Sequence, residues 1–67
     1  MERIIIRTAS GETIFSEEEY GDYNATYDAA VKYAVGLDDY SVNGEGWENQ
    51  DRVGFQRDVE KLSGSQT

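Results

Sequence analysis

Between Glu12 and Asp51 the chain places eleven carboxylates against one base, Lys32. The acids are Glu12, Glu17, Glu18, Glu19, Asp22, Asp28, Asp38, Asp39, Glu45, Glu48 and Asp51. The flanks differ. Residues 1–11 carry Glu2 against Arg3 and Arg7, and residues 52–67 carry Asp58 and Glu60 against Arg52, Arg57 and Lys61, so each flank is net +1. The total of −8 is therefore concentrated in the middle, where self-repulsion opposes a compact state. Any fold must keep these acids on its surface and build its core from what lies between them.

Little else is available for that core. A chain of 67 residues is one domain at most and buries only about 60% of its unfolded surface. Cysteine and histidine are absent. That excludes disulfides, thiolate metal sites, Ser-His-Asp and Cys-His catalysis, and the usual switch near neutral pH. The aliphatic and aromatic residues suffice for one small core and leave little for an enclosed catalytic pocket. No apolar run approaches the ~20 residues of a membrane span. The opening Met-Glu-Arg-Ile-Ile-Ile lacks the pattern of a secretory signal and enters a strand directly. The expectation is a cytoplasmic protein (the host cytoplasm if phage-encoded) with no cofactor and no catalytic residues. An anionic membrane or a nucleic acid is a poor direct partner for so acidic a chain.

Residues 2–8 are β-branched and strand-like, Ser10-Gly11 marks a turn, and residues 12–15 read as the return strand of a hairpin. With period 2, Ile4 and Ile6 share one face and Ile5 the other; if Ile5 is shielded, both faces are covered. Ser16-Glu17-Glu18-Glu19 fits a capping box, and Gly21 limits it to a single turn. Asn24 or Thr26 can cap a longer helix over about 25–36, with Tyr27, Val31, Ala34 and Val35 on its apolar side. Tyr40-Ser41-Val42 is a candidate third strand beside an Asn43-Gly44 turn. Asp51 can cap a last helix over about 52–62, with Phe55, Val59 and Leu62 on one face. The fold class is α+β: an N-terminal β-hairpin followed by two helices, ββαα, or ββαβα with the third strand. Residues 1–64 form the single domain and 65–67 are expected to fray.

The acidic belt is interleaved with Tyr20, Tyr23, Tyr27, Tyr33 and Tyr40. Carboxylates spaced along a rigid surface imitate phosphates, and tyrosine adds contact area with a hydroxyl at low entropic cost. A basic nucleic-acid-binding groove would attract such a surface at long range and release it in salt. The candidate partner-binding residues are Glu17, Glu18, Glu19, Tyr20, Asp22, Tyr23, Asp28, Asp38, Asp39 and Tyr40. Tyr20, Tyr23 and Tyr27 would form one stripe if helix ran through Gly21. Two plainer readings exist. The acids are a solvated face over a thin core, or they are a halophilic adaptation, which predicts acids over the whole surface and fits poorly with the net-positive flanks.

Asp39-Tyr40-Ser41-Val42-Asn43-Gly44 matches the opening of an EF-hand-type calcium loop, with Asp39, Ser41 and Asn43 as oxygen ligands and Gly at the sixth position. The match fails later, where Gly46 replaces an apolar residue and Gln50 the bidentate Glu. Asn24-Ala25-Thr26 is a glycosylation sequon that reads better as a helix cap. Carboxylate pairs for glycoside hydrolysis are plentiful, but the chain is too small to enclose a sugar.

In length, absence of cysteine, and clustered acids among tyrosines, the whole chain resembles the small acidic proteins that phages and mobile elements use against host nucleic-acid machinery, anti-CRISPR proteins and DNA-mimic inhibitors among them. The resemblance is one of kind and carries no shared motif or fold. It implies a non-catalytic stoichiometric inhibitor of a nucleic-acid-binding protein or ribonucleoprotein complex, such as a CRISPR effector, that acts as a monomer or small homodimer. The alternatives are a protein–protein interaction module or homodimer contacting through Ile5, Trp47 or Phe55, and a weak calcium-binding domain.

Overall fold

In the computed structural model, which describes residues 2–64, the alternation of the N-terminal isoleucines decides the layering. Strand β1 (Arg3–Thr8) is central in an antiparallel three-stranded sheet of order β2-β1-β3, with β2 at Gly11–Ser16 and β3 at Tyr40–Gly44. Ile4 lies opposite Phe15 and Gly44, and Ile6 opposite Thr13 and Val42. Ile4 and Ile6 are fully buried beneath the helices. The arrangement is mixed α+β, with one additional short helix between the hairpin and the long α2.

That short helix, α1 (Glu17–Tyr20), is capped by Ser16, whose side chain accepts the Glu18 N–H. Gly21 ends it at φ 101°, a conformation side-chain-bearing residues rarely adopt. Helix α2 (Tyr23–Val35) starts earlier than expected. Its cap is Asp22 and neither Asn24 nor Thr26; the Asp22 carboxylate accepts the Ala25 N–H at 2.7 Å. Thr26 is fully buried, and its hydroxyl donates to the Asp22 carbonyl at 2.8 Å. Thr26, Ala30 and Ala34 recur every four residues and are all buried, so a stripe of small side chains lets α2 lie close over the sheet.

Helix α3 (Asn49–Gly64) also begins earlier than its sequence signal. Asp51 sits inside its first turn and reaches back to accept the Glu48 N–H at 2.8 Å, the acidic half of a capping box. Phe55 is fully buried and Val59 nearly so, whereas Leu62 is 46% exposed. Phe55 sits among Tyr27, Tyr40 and Trp47, with ring centroids 5.4, 6.4 and 5.9 Å away. The Tyr27 hydroxyl donates to Asp58 at 2.5 Å and ties α2 to α3. No buried side-chain nitrogen or oxygen among the described residues lacks a partner.

Two expectations are corrected. Asn43-Gly44 is no hairpin turn: both residues pair with β1, and the chain turns afterwards at Glu45-Gly46. Ile5 is half-buried although no helix covers its face; its cross-strand neighbours Ile14 and Asn43 shield it. The expected fraying of Ser65–Thr67 lies outside the described residues. No helix among the described residues is long and apolar enough to cross a membrane.

Candidate functional site: an acidic end with an aromatic floor

The strand register decides which acids meet. Ile4 is level with Phe15 on one side and Gly44 on the other. Residues just before Ile4, just after Phe15 and just after Gly44 therefore emerge at the same end of the sheet. The Glu17 N–H donates to the Glu2 carbonyl and the Glu45 N–H to the Arg3 carbonyl, each at 3.1 Å, which holds the three segments together. The Glu2 N–H also faces a Glu17 carboxylate oxygen at 3.4 Å. Both α2 and α3 start near this end.

The result is an open depression of about 500 Å³ bordered by Glu2, Glu17, Glu45 and Asp51, with Tyr23 and Trp47 as its aromatic surface. Trp47 lies flat over β3 because position 44 is glycine. A Cβ there would fall 2.4 Å from the indole ring. Trp47 is backed by Tyr27 and Phe55, and Tyr23 meets Tyr27 at a tilt, with ring centroids 6.0 Å apart. Burial raises the Tyr23 pKa, the nearby Trp47 indole N–H pulls the other way, and the Asp51 and Glu2 carboxylates raise it further. The Tyr23 hydroxyl thus remains protonated at neutral pH.

Aromatic faces within a carboxylate rim suit a guanidinium or ammonium group, which gains from both charge and ring quadrupole. A chelated metal suits the geometry less. Among the described residues no three acids converge closely enough to hold one ion.

Only part of the site expected from sequence assembles here. Glu17 and Tyr23 border the depression. Glu18, Glu19 and Tyr20 belong to the same short helix, and all three are exposed. Asp22 is exposed but engaged as the α2 cap. Asp28 lies farther along α2, paired with Lys32 at 3.0 Å. Asp38, Asp39 and Tyr40 stand at the opposite end of α2, roughly 20 Å away at 1.5 Å per residue. There Asp39 and Tyr40 share a separate depression with Arg7. Tyr40 is half-buried against Phe55, and burial, then Glu60, raises its pKa. The tyrosine stripe does not form. Tyr20 turns to Phe15 (6.0 Å), which also holds Tyr33 (5.5 Å), while Tyr23 and Tyr27 join Trp47.

Glu2, Glu45 and Asp51 were not among the sequence-derived site residues, and Trp47 stood there only as a contact of the alternative interaction module. Trp47 carried a signal in its size; Glu2 was hidden in a net-positive flank, and only the register brings it in. The calcium-loop reading is corrected. Tyr40–Gly44 is an extended strand paired to β1, and Asn43 accepts from Arg52 at 2.9 Å, so Asp39, Ser41 and Asn43 do not curl around a common centre. Phe55, a candidate contact residue, is fully buried and cannot meet a partner. No family model matches the chain, and no curated protein or solved structure matches it.

Proposed function

We propose that this protein is a non-catalytic inhibitor that docks its acidic end on the basic surface of a nucleic-acid-binding protein or ribonucleoprotein complex and occupies the place of the nucleic acid. What carries this reading is the convergence of Glu2, Glu17, Glu45 and Asp51, drawn from three chain segments, around Tyr23 and Trp47. Glu18, Glu19, Tyr20 and Asp22 extend the anionic surface beside it. Folding collects these carboxylates despite their mutual repulsion, and a cationic partner would relieve that repulsion on binding. Arginine side chains that grip phosphates would meet carboxylates at the rim and rings at the floor.

The test is capture of partners from a bacterial lysate by the tagged protein, eluted in steps of salt or with competing DNA or RNA and identified by mass spectrometry. A nucleic-acid-binding protein released by salt and by competitor is the expected result. Changing Glu17→Gln, Glu45→Gln and Asp51→Asn together should weaken its binding about tenfold or more and flatten the salt dependence. Asp38→Asn with Asp39→Asn should change binding less than about twofold. Equal binding and equal salt dependence in the acid-end variant would refute the reading.

A further inference from the structure

The outer face of the sheet carries no helix, and its charge is opposite in sign to the rest of the molecule. Arg3, Ile5 and Arg7 alternate with the buried Ile4 and Ile6 and so point to this face. Ile14, opposite Ile5, is 45% exposed. Arg52 reaches from α3 to Asn43 at the margin, and Ile5, Arg7, Asn43 and Arg52 line a shallow depression of about 320 Å³. Glu12 on this face is paired with Arg7 at 3.1 Å, Asp39 borders Arg7 at one margin, and Glu45 follows β3 beside Arg3 at the other. Locally, an apolar centre is rimmed by guanidinium groups.

We infer that this face docks the acidic end of a second copy of the chain. The two surfaces are complementary in plan. One has isoleucines within arginines, and the other has Tyr23 and Trp47 within carboxylates. No position of the three strands that points to the outer face carries an aromatic ring, so a nucleobase would have nothing to stack on, which favours a protein occupant. Both copies are net negative, but at 0.15 M salt the Debye length is about 8 Å, so charges at the contact outweigh remote repulsion. A standard interface takes about 800 Å² from each partner. The whole surface is 4569 Å², and a three-stranded face supplies only part of such an area, which places this contact among small, transient ones.

Sedimentation equilibrium in 0.15 M salt, carried to about 1 mM as weak contacts require, tests the pairing without any partner, so it fails independently of the proposed inhibition. The average mass should rise above the 7.5 kDa monomer with concentration. Arg7→Glu with Arg52→Glu should hold the protein monomeric, as should Glu17→Lys with Glu45→Lys. An equimolar mixture of the two reversed variants should associate again. Circular dichroism confirms that each variant is folded, and Arg7→Gln with Arg52→Gln replaces the first if it is not. A wild-type chain that stays monomeric, or association that survives either reversal, overturns the inference.

Discussion

The two ends of α2 begin from similar sequence and finish as different surfaces. Glu17-Glu18-Glu19 and Asp38-Asp39 are both short acidic runs next to a tyrosine. Near the first, the strand ends add Glu2 and Glu45, the first turn of α3 adds Asp51, and Gly44 admits Trp47, so charge accumulates around rings. Near the second, Glu60 joins Asp38 and Asp39 on one side, while β1 brings Arg7, itself paired with Glu12, into a depression with Asp39 on the other, so the charge is mixed. Linear charge density does not distinguish the ends; strand register does, because it chooses which distant residues become neighbours.

The largest expected effect removes the distinction altogether. Phe55 touches Trp47 toward the acidic end and Tyr40 toward the other. Phe55→Ala should cost about 3–5 kcal/mol, enough to unfold most of so small a domain; urea denaturation followed by circular dichroism measures it. A narrower change breaks one end only. Gly44→Ala forces Trp47 off β3 and should cost about 1–3 kcal/mol. Indole emission should shift to the red, while Tyr40 resonances stay near their wild-type positions. Asp22→Ala removes the α2 cap at the acidic end and should lower stability by about 1 kcal/mol in the same urea assay.

The inter-helix bond between the ends makes a pH prediction. Burial, then the hydrogen bond and charge of Asp58, raise the Tyr27 pKa well above its usual value near 10. The folded protein therefore keeps this proton where the unfolded chain loses it. The contribution is complete below about pH 10 and declines as pH rises beyond it. Urea midpoints should fall between pH 9 and 11, and fall less in Tyr27→Phe. The smallest effect compares the ends directly. Glu17→Gln with Glu45→Gln should raise stability by a few tenths of a kcal/mol, because like charges are removed, whereas Asp38→Asn with Asp39→Asn should gain less because Arg7 is near Asp39. Equal gains would erase the electrostatic difference.

The hairpin, the third strand and the faces of both long helices were legible because they rest on local periodicity and turn chemistry. Ile4 and Ile6 against Ile5, and Phe55 with Val59, needed only the spacing of apolar residues. Helix starts were placed late because Asp22 caps α2 ahead of Asn24 and Thr26, and because Asp51, read as a cap preceding α3, bonds back to Glu48 from inside its first turn. Of the candidate site, Glu17 and Tyr23 were legible as acid next to tyrosine. The rest was not: Glu2 and Glu45 meet Glu17 only through pairing of β1 with both other strands, and Asp51 comes in with the first turn of α3. Asn43-Gly44 misled because its glycine makes room for an indole instead of a turn.

Gly21 gives the acidic surface its shape. An L-residue there is strained at φ 101° by roughly 1–2 kcal/mol, and straightening into helix would relieve it. Residues 17–35 would then form one rod, with Tyr20, Tyr23 and Tyr27 in line and the three glutamates carried away from Glu2. With glycine the same residues fold back into a knot at the end of the sheet. The backbone at Gly21 and Asp22, with no change of charge, separates a molecule that presents its anions along a line from one that presents them at a point.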